Sequence, residues 1–177
     1  MKVKYILGLL ALIFIVSCGD KTSETLETGE AGIKQEMKKI SAKAIENFKY
    51  NDYILSDDAK REVSDWSKFQ ELETQISFLK TADITFFTTE KDTLKKFLDI
   101  LKVNIPENIN TNPVNARITT LETKLFKLNN DLTLENYSVD SKMLSIKELL
   151  IANSNLIFVI NKKLEFDKND VGRPEDE

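Results

Sequence analysis

The chain has 177 residues, 25 basic and 29 acidic, with five glycines, three prolines, one cysteine and no histidine. The missing histidine excludes Ser-His and Cys-His nucleophilic sites and the commonest metal ligand, a lone cysteine excludes an intramolecular disulfide, and so few scattered glycines exclude phosphate-cradling loops and the many tight turns of a β-sandwich. The acidic balance also makes nucleic acid a poor partner.

The first element is Met1 to Cys18. Lys2 and Lys4 precede an apolar run of 11 residues, Ile6 to Val16, followed by Ser17 and Cys18. A membrane-spanning helix needs about 20 residues, whereas a secretory signal needs a basic start, about 7–15 apolar residues and a small residue at the cleavage site. The end of the run goes further. Ile15-Val16-Ser17-Cys18 resembles the lipobox of bacterial lipoproteins, in which an aliphatic residue, a variable residue and a small residue precede the cysteine. That resemblance implies cleavage before Cys18, a diacylglyceryl thioether on its sulfur and acylation of the new amino terminus. The alternatives are an ordinary secretion signal with an incidental cysteine and a buried amphipathic start. The chemistry favours lipidation, because it consumes a thiol that would otherwise be a liability in an oxidising compartment. Two or three acyl chains, each buried methylene adding about 0.8 kcal/mol, hold a protein on a membrane without a transmembrane helix. Gly19, rather than aspartate, follows the cysteine, and by the same resemblance the outer membrane is favoured over the inner. The face of that membrane is left open; Asp20, Glu24, Glu27 and Glu30 are too dispersed to decide it.

Loss of Lys2 and Lys4 with the signal leaves 23 bases against 29 acids. Residues 18–30 carry Leu26 as their one bulky apolar side chain after the cysteine and read as a lipidated tether. At about 3.3 Å per residue, twelve residues reach roughly 40 Å.

Residues 31–166 read as an all-α domain, an antiparallel bundle of four or five helices, coiled-coil-like and open to being elongated. Ile33, Met37, Ile40, Ala44 and Asn47/Phe48 share a helical face, which predicts a first helix over about 32–50. Asn51-Asp52 marks a break. Ser56 then looks like an N-cap followed by Asp57 and Asp58, acids suited to a helix dipole. Val63, Trp66, Phe69, Leu72, Ile76 and Leu79 continue on one face. Ile84–Thr89 is β-branched and aromatic, yet has no second strand to pair with, so it is read as helical with a kink or break near Thr88-Thr89. Leu94, Phe97, Leu98, Leu101 and Ile105 resume the pattern. A single helix from Asp57 to Val103 would be long against a mean of about 11–12 residues, which favours a break.

Pro106 to Asn112 is the firmest loop, with Asn112 as N-cap and Pro113 as first helical residue of the next helix. Val114, Ile118, Leu121, Leu125, Leu128 and Leu132 follow steps of 4 and 3, the seam of a shallow-angle bundle. After a loop at 134–138, with Ser138 as N-cap, the last helix is expected over Val139 to Phe166. Its seam is Val139, Met143, Ile146, Leu150, Asn153, Ile157, Ile160 and Leu164, with a second stripe of Leu144, Ile151 and Phe158. Asn153 in the seam suits a register device, or a polar contact in a ligand cavity. Residues 167–177 read as a disordered acidic tail; Asp167, Asp170, Glu175, Asp176 and Glu177 lack the ligand order and glycine of a calcium loop.

No catalytic set, cofactor motif or metal site emerges. Asp57, Asp58, Glu62 and Asp65 cluster at a helix start, where dipole and solubility account for them. Tyr50, Tyr53, Trp66, Phe69, Phe78, Phe86 and Phe87 lie in one third of the chain, and aromatics at helical spacing are usually core. The resulting expectation is a non-enzymatic lipoprotein of the cell envelope, held to the membrane through lipid on Cys18, that binds another protein or supports an assembly. It is similar in outline to the all-helical envelope lipoproteins of Gram-negative bacteria. Two alternatives remain: a small-molecule or peptide-binding module with a cavity near Trp66 and Asn153, and a hydrolase built on two carboxylates about 5–10 Å apart.

Overall fold

The computed structural model describes residues 39–169, so residues 1–38, including the signal, Cys18 and the tether, lie outside the described residues. What is described is all-helical. Short helices α1 (Ala42–Glu46) and α2 (Asp57–Glu62) precede four main ones: α3 (Ser67–Lys80), α4 (Lys91–Val103), α5 (Asn112–Thr133) and α6 (Val139–Asn169). Single 3-10 turns at Phe86–Thr88 and Glu107–Ile109 flank α4.

The α5–α6 hairpin is the centre of the bundle. Lys124 meets Glu148, and the later Lys127 and Asp131 meet the earlier Ser145, so the helices run antiparallel. All of Val114, Ile118, Leu121, Leu125 and Leu128 are buried, as their 4–3 spacing predicts, and each buried leucine contributes about 1.5–3 kcal/mol. Ser138 caps α6 by accepting from the Ser141 N–H at 3.1 Å. The start of α5 is displaced by one residue: extended Thr111 is its N-cap and Asn112 its first helical residue. α6 runs to Asn169, three residues past the expected end, with Lys168 paired to Asp58 at 3.2 Å and Lys163 paired to Asp167. Residues 170–177 lie outside the described residues.

The second stripe of α6 lies on the opposite flank from the expected one. Leu149, Ala152 and Leu156 join the seam in the core, while Leu144 is 54% exposed. Periodicity defines a stripe, but neighbouring helices select the flank that they cover. α6 is also long and apolar enough to span a membrane by composition, yet 56% of that window is buried inside the bundle, as befits a core helix with several neighbours.

The segment from Asp57 to Val103 is broken twice. After α2 the chain turns through Val63, Ser64 and Asp65. After α3, Ala82 adopts φ 69°, and the next N–H groups fold back: Ala82 donates to Leu79 O at 2.9 Å and Asp83 to Phe78 O at 3.0 Å. This pair of bonds is a Schellman C-cap, whose left-handed residue is usually glycine. Ala82→Gly should therefore stabilise the domain by about 0.5–1 kcal/mol, the relieved Cβ crowding exceeding the added chain entropy; urea unfolding followed by circular dichroism reads it. Ile84–Thr89, expected to be helical, holds only the 3-10 turn. The turn is fixed by buried Asn129 on α5, whose Nδ2 donates to Phe87 O at 2.9 Å and Thr89 O at 3.0 Å. A side chain remote in sequence thus satisfies carbonyls that a helix would have satisfied locally.

The first helix is also shorter than expected. It is capped by Ser41 and stops at Glu46, with Ile45 as its buried residue; Ile33 and Met37 lie outside the described residues. Asn51–Ser56 is an extended strap laid on α6. The Tyr53 N–H donates to Ser154 Oγ at 2.8 Å, and that hydroxyl donates to Asn51 O. Two turns further along α6, Asn161 accepts from the Ser56 N–H at 2.9 Å and donates to Ile54 O at 2.8 Å. Polar side chains on α6 thus replace the partner strand that the strap lacks.

Candidate functional site

Of the acids singled out in the sequence, Asp58 and Glu62 share a surface cleft, while Asp57 and Asp65 do not line it. Ser56 caps α2 by accepting from the Ala59 N–H at 3.2 Å, with Asp57 and Asp58 in the first turn. Asp58 and Glu62 line a surface cleft with Arg61, Asn108, Asp167 and Lys168. Each acid there is engaged: Asp58 by Arg61 and Lys168, Glu62 by Asn108, Asp167 by Lys163. Lys60 holds the Asp57 carboxyl below its ordinary range through a hydrogen bond and its charge. Asp65 is exposed in the turn after α2. Among the described residues no three metal-binding side chains converge.

Of the aromatics, Trp66, Phe69 and Phe87 are buried, Tyr50, Tyr53 and Phe86 partly so, and Phe78 is exposed. The indole of Trp66 stacks on Phe69 with centroids 4.8 Å apart, and Nε1 donates to Leu101 O at 2.9 Å. Asn153 lies across from α3, its Nδ2 donating to Glu73 Oε1 at 2.8 Å. The two residues are thus both packed into the interior, each with its own polar partner.

A different surface stands out. A groove of about 680 Å³ runs between α5 and α6 beside their connecting loop, lined by Phe126, Tyr137 and Leu144 among polar Thr123, Asn130 and Ser141. Leu134, Tyr137 and Leu144 are large apolar side chains exposed at this end of the hairpin. Lys91 reaches over the Phe126 ring, 5.6 Å from its centroid.

Beneath the groove lies a charged network. Asp131 is only 4% exposed, yet it accepts the Ser145 hydroxyl proton and lies 3.6 Å from Lys127 Nζ. Lys127 also donates to Ser145 Oγ at 2.8 Å and pairs with Glu148 at 3.0 Å. Desolvation is the largest influence on Lys127 and favours its neutral form; the hydrogen bonds and charges of Glu148 and Asp131 together outweigh it and raise its pKa. The Lys127 hydrogen bond, the largest influence on Glu148, keeps that carboxyl below its ordinary range. This juxtaposes serine, lysine and aspartate, but a lysine held protonated takes no proton from Ser145, and Ser145 is 1% exposed. The arrangement positions the hairpin and neutralises its own charges. Glu122, also on the groove, is likewise engaged by Lys102 at 2.9 Å.

The groove was not singled out by the sequence. Its signal was Tyr137 and Leu134 in a loop and Leu144 off the seam, apolar residues with no core to join. No known protein family, no curated protein and no solved structure matches the chain.

Proposed function

We propose that the chain is a lipid-anchored lipoprotein of the bacterial cell envelope, non-enzymatic, whose bundle docks another protein. The observation that carries this reading is Ile15-Val16-Ser17-Cys18 at the end of an 11-residue apolar run, with acyl chains on Cys18 as the anchor and the outer membrane as its place. The α5–α6 groove supports the docking half. Its apolar side chains Tyr137 and Leu144 are exposed beside half-buried Phe126, and its charged neighbours Glu122, Lys127 and Asp131 are already compensated by Lys102, Glu148 and one another. Such a surface offers nothing to a charged ligand and fits a protein segment that presents an uncharged apolar side chain.

The test is a photo-crosslinking residue at Tyr137 of the full chain in its own envelope. A discrete protein adduct is expected there and none from exposed Lys96 on α4. Adding Leu144→Glu should cut adduct yield roughly tenfold, equivalent to about 1.4 kcal/mol, with the circular dichroism spectrum unchanged. Equal adducts from both positions, or insensitivity to Leu144→Glu, would sink the docking half.

A further inference from the structure

The contact between α3 and α6 contains an unfinished pair. Asn153 is 4% exposed, and its Nδ2 donates to Glu73 Oε1 at 2.8 Å. Among the described residues its Oδ1 is the one buried side-chain oxygen with no hydrogen-bond partner. Reversing the amide would not help, since it would set that oxygen against a carboxylate. A proton on Glu73 makes its second oxygen a donor, the kind of group that Asn153 Oδ1 lacks.

We propose that Glu73 and Asn153 form a proton-operated clasp between α3 and α6, in which protonated Glu73 closes an acid–amide ring, Asn153 Nδ2–H to Oε1 and Glu73 Oε2–H to Asn153 Oδ1. Glu73 takes the proton from solvent, and no other bond is made or broken. The charged groups facing it are Lys80 on its own helix and Asp52 on the strap, which pair with each other at 2.7 Å. Tyr50 stands beside that pair, its own pKa raised first by burial. α6 contributes Asn153 to the contact. Burial is the largest influence on Glu73 and raises its pKa; Asp52 adds to the rise, while the Asn153 hydrogen bond and Lys80 oppose it without cancelling it.

The sign is the reverse of that for a salt-bridged carboxylate. With its folded pKa raised, Glu73 binds a proton in the folded chain that the unfolded chain has released. Its contribution is therefore full below the unfolded carboxyl range and is lost as pH rises through the raised folded value. Glu148, with its pKa lowered, acts oppositely and loses its contribution as pH falls. The clasp tightens the bundle under mild acid.

The experiment uses the full chain in detergent. Carboxyl carbon NMR should show Glu73 titrating above the ordinary glutamate range, with the Asn153 side-chain amide signals moving in step. Glu73→Gln supplies a permanent donor, so its advantage over the parent should shrink from roughly 3 °C in melting temperature at pH 8 to a clearly smaller offset at pH 4.5. A Glu73 titration in the ordinary range, Asn153 amide signals indifferent to it, or the same Glu73→Gln offset at both pH values would each overturn the clasp. The NMR readout on the unmodified chain stands even if the variant fails to fold.

Discussion

Trp66→Ala should destabilise the domain by about 3–5 kcal/mol, the range for truncating a large buried aromatic. Two losses combine. The indole is 1% exposed and stacked on Phe69, so its removal leaves a cavity in a core shared by α3 and α4. Its Nε1–H also donates to Leu101 O, in the last turn of α4. Carbonyls there have no helical partner, and Pro106 soon after leaves the helix no way to continue. The indole thus acts as a C-cap for α4 supplied by the N-cap residue of α3. Trp66→Phe separates the two terms: it fills most of the space but loses the hydrogen bond, costing about 1–3 kcal/mol for the stranded carbonyl. Since Trp66 is the chain's only tryptophan, unfolding is followed by circular dichroism in urea. With marginal stabilities of about 5–15 kcal/mol, the alanine variant would lose a large share of its fold. A midpoint within experimental error of the parent would contradict the cap and the packing together.

Cys18→Ser should abolish fatty-acid labelling and move the protein from membrane to soluble fractions. Serine keeps the size of the side chain but cannot form the thioether that the proposed lipidation of Cys18 requires. With the chains gone, the 11 apolar residues from Ile6 to Val16 are too few to span a bilayer as a helix. Metabolic labelling with a radioactive fatty acid and fractionation measure both effects. Unchanged labelling would show that Cys18 is not the anchor. This result is independent of the docking groove: lipidation can fail while crosslinking at Tyr137 persists.

The seam of α5 was legible because its apolar residues recur at one helical spacing and are buried together. The caps at Ser56 and Ser138 were legible for the same reason, being local chemistry within one turn. Illegible features depended on residues distant in sequence. The strap at 51–56 looked like a mere break, because its partners Ser154 and Asn161 lie about a hundred residues away. Ile84–Thr89 was read as helical because no strand partner was visible, whereas the side chain that holds it, Asn129, sits on the polar margin of an otherwise regular seam. Asn153 was read as a possible pairing residue across the bundle, and it does pair across, with Glu73.

The same division applies to the surface. Leu144 was assigned to a buried stripe on periodicity, and it lines the groove instead. Asp131 and Ser145 gave no sign of pairing, since neither charge nor polarity in a sequence reports what faces it across a hairpin.

The sequence by itself determined the helical class and the main helix of each seam, because these rest on local periodicity. Only the tertiary structure decided where the Asp57–Val103 segment breaks, which flank of α6 is covered and where apolar side chains are left exposed. These outcomes turn on competition between elements for one core, and on carbonyls and N–H groups that find their partners far along the chain.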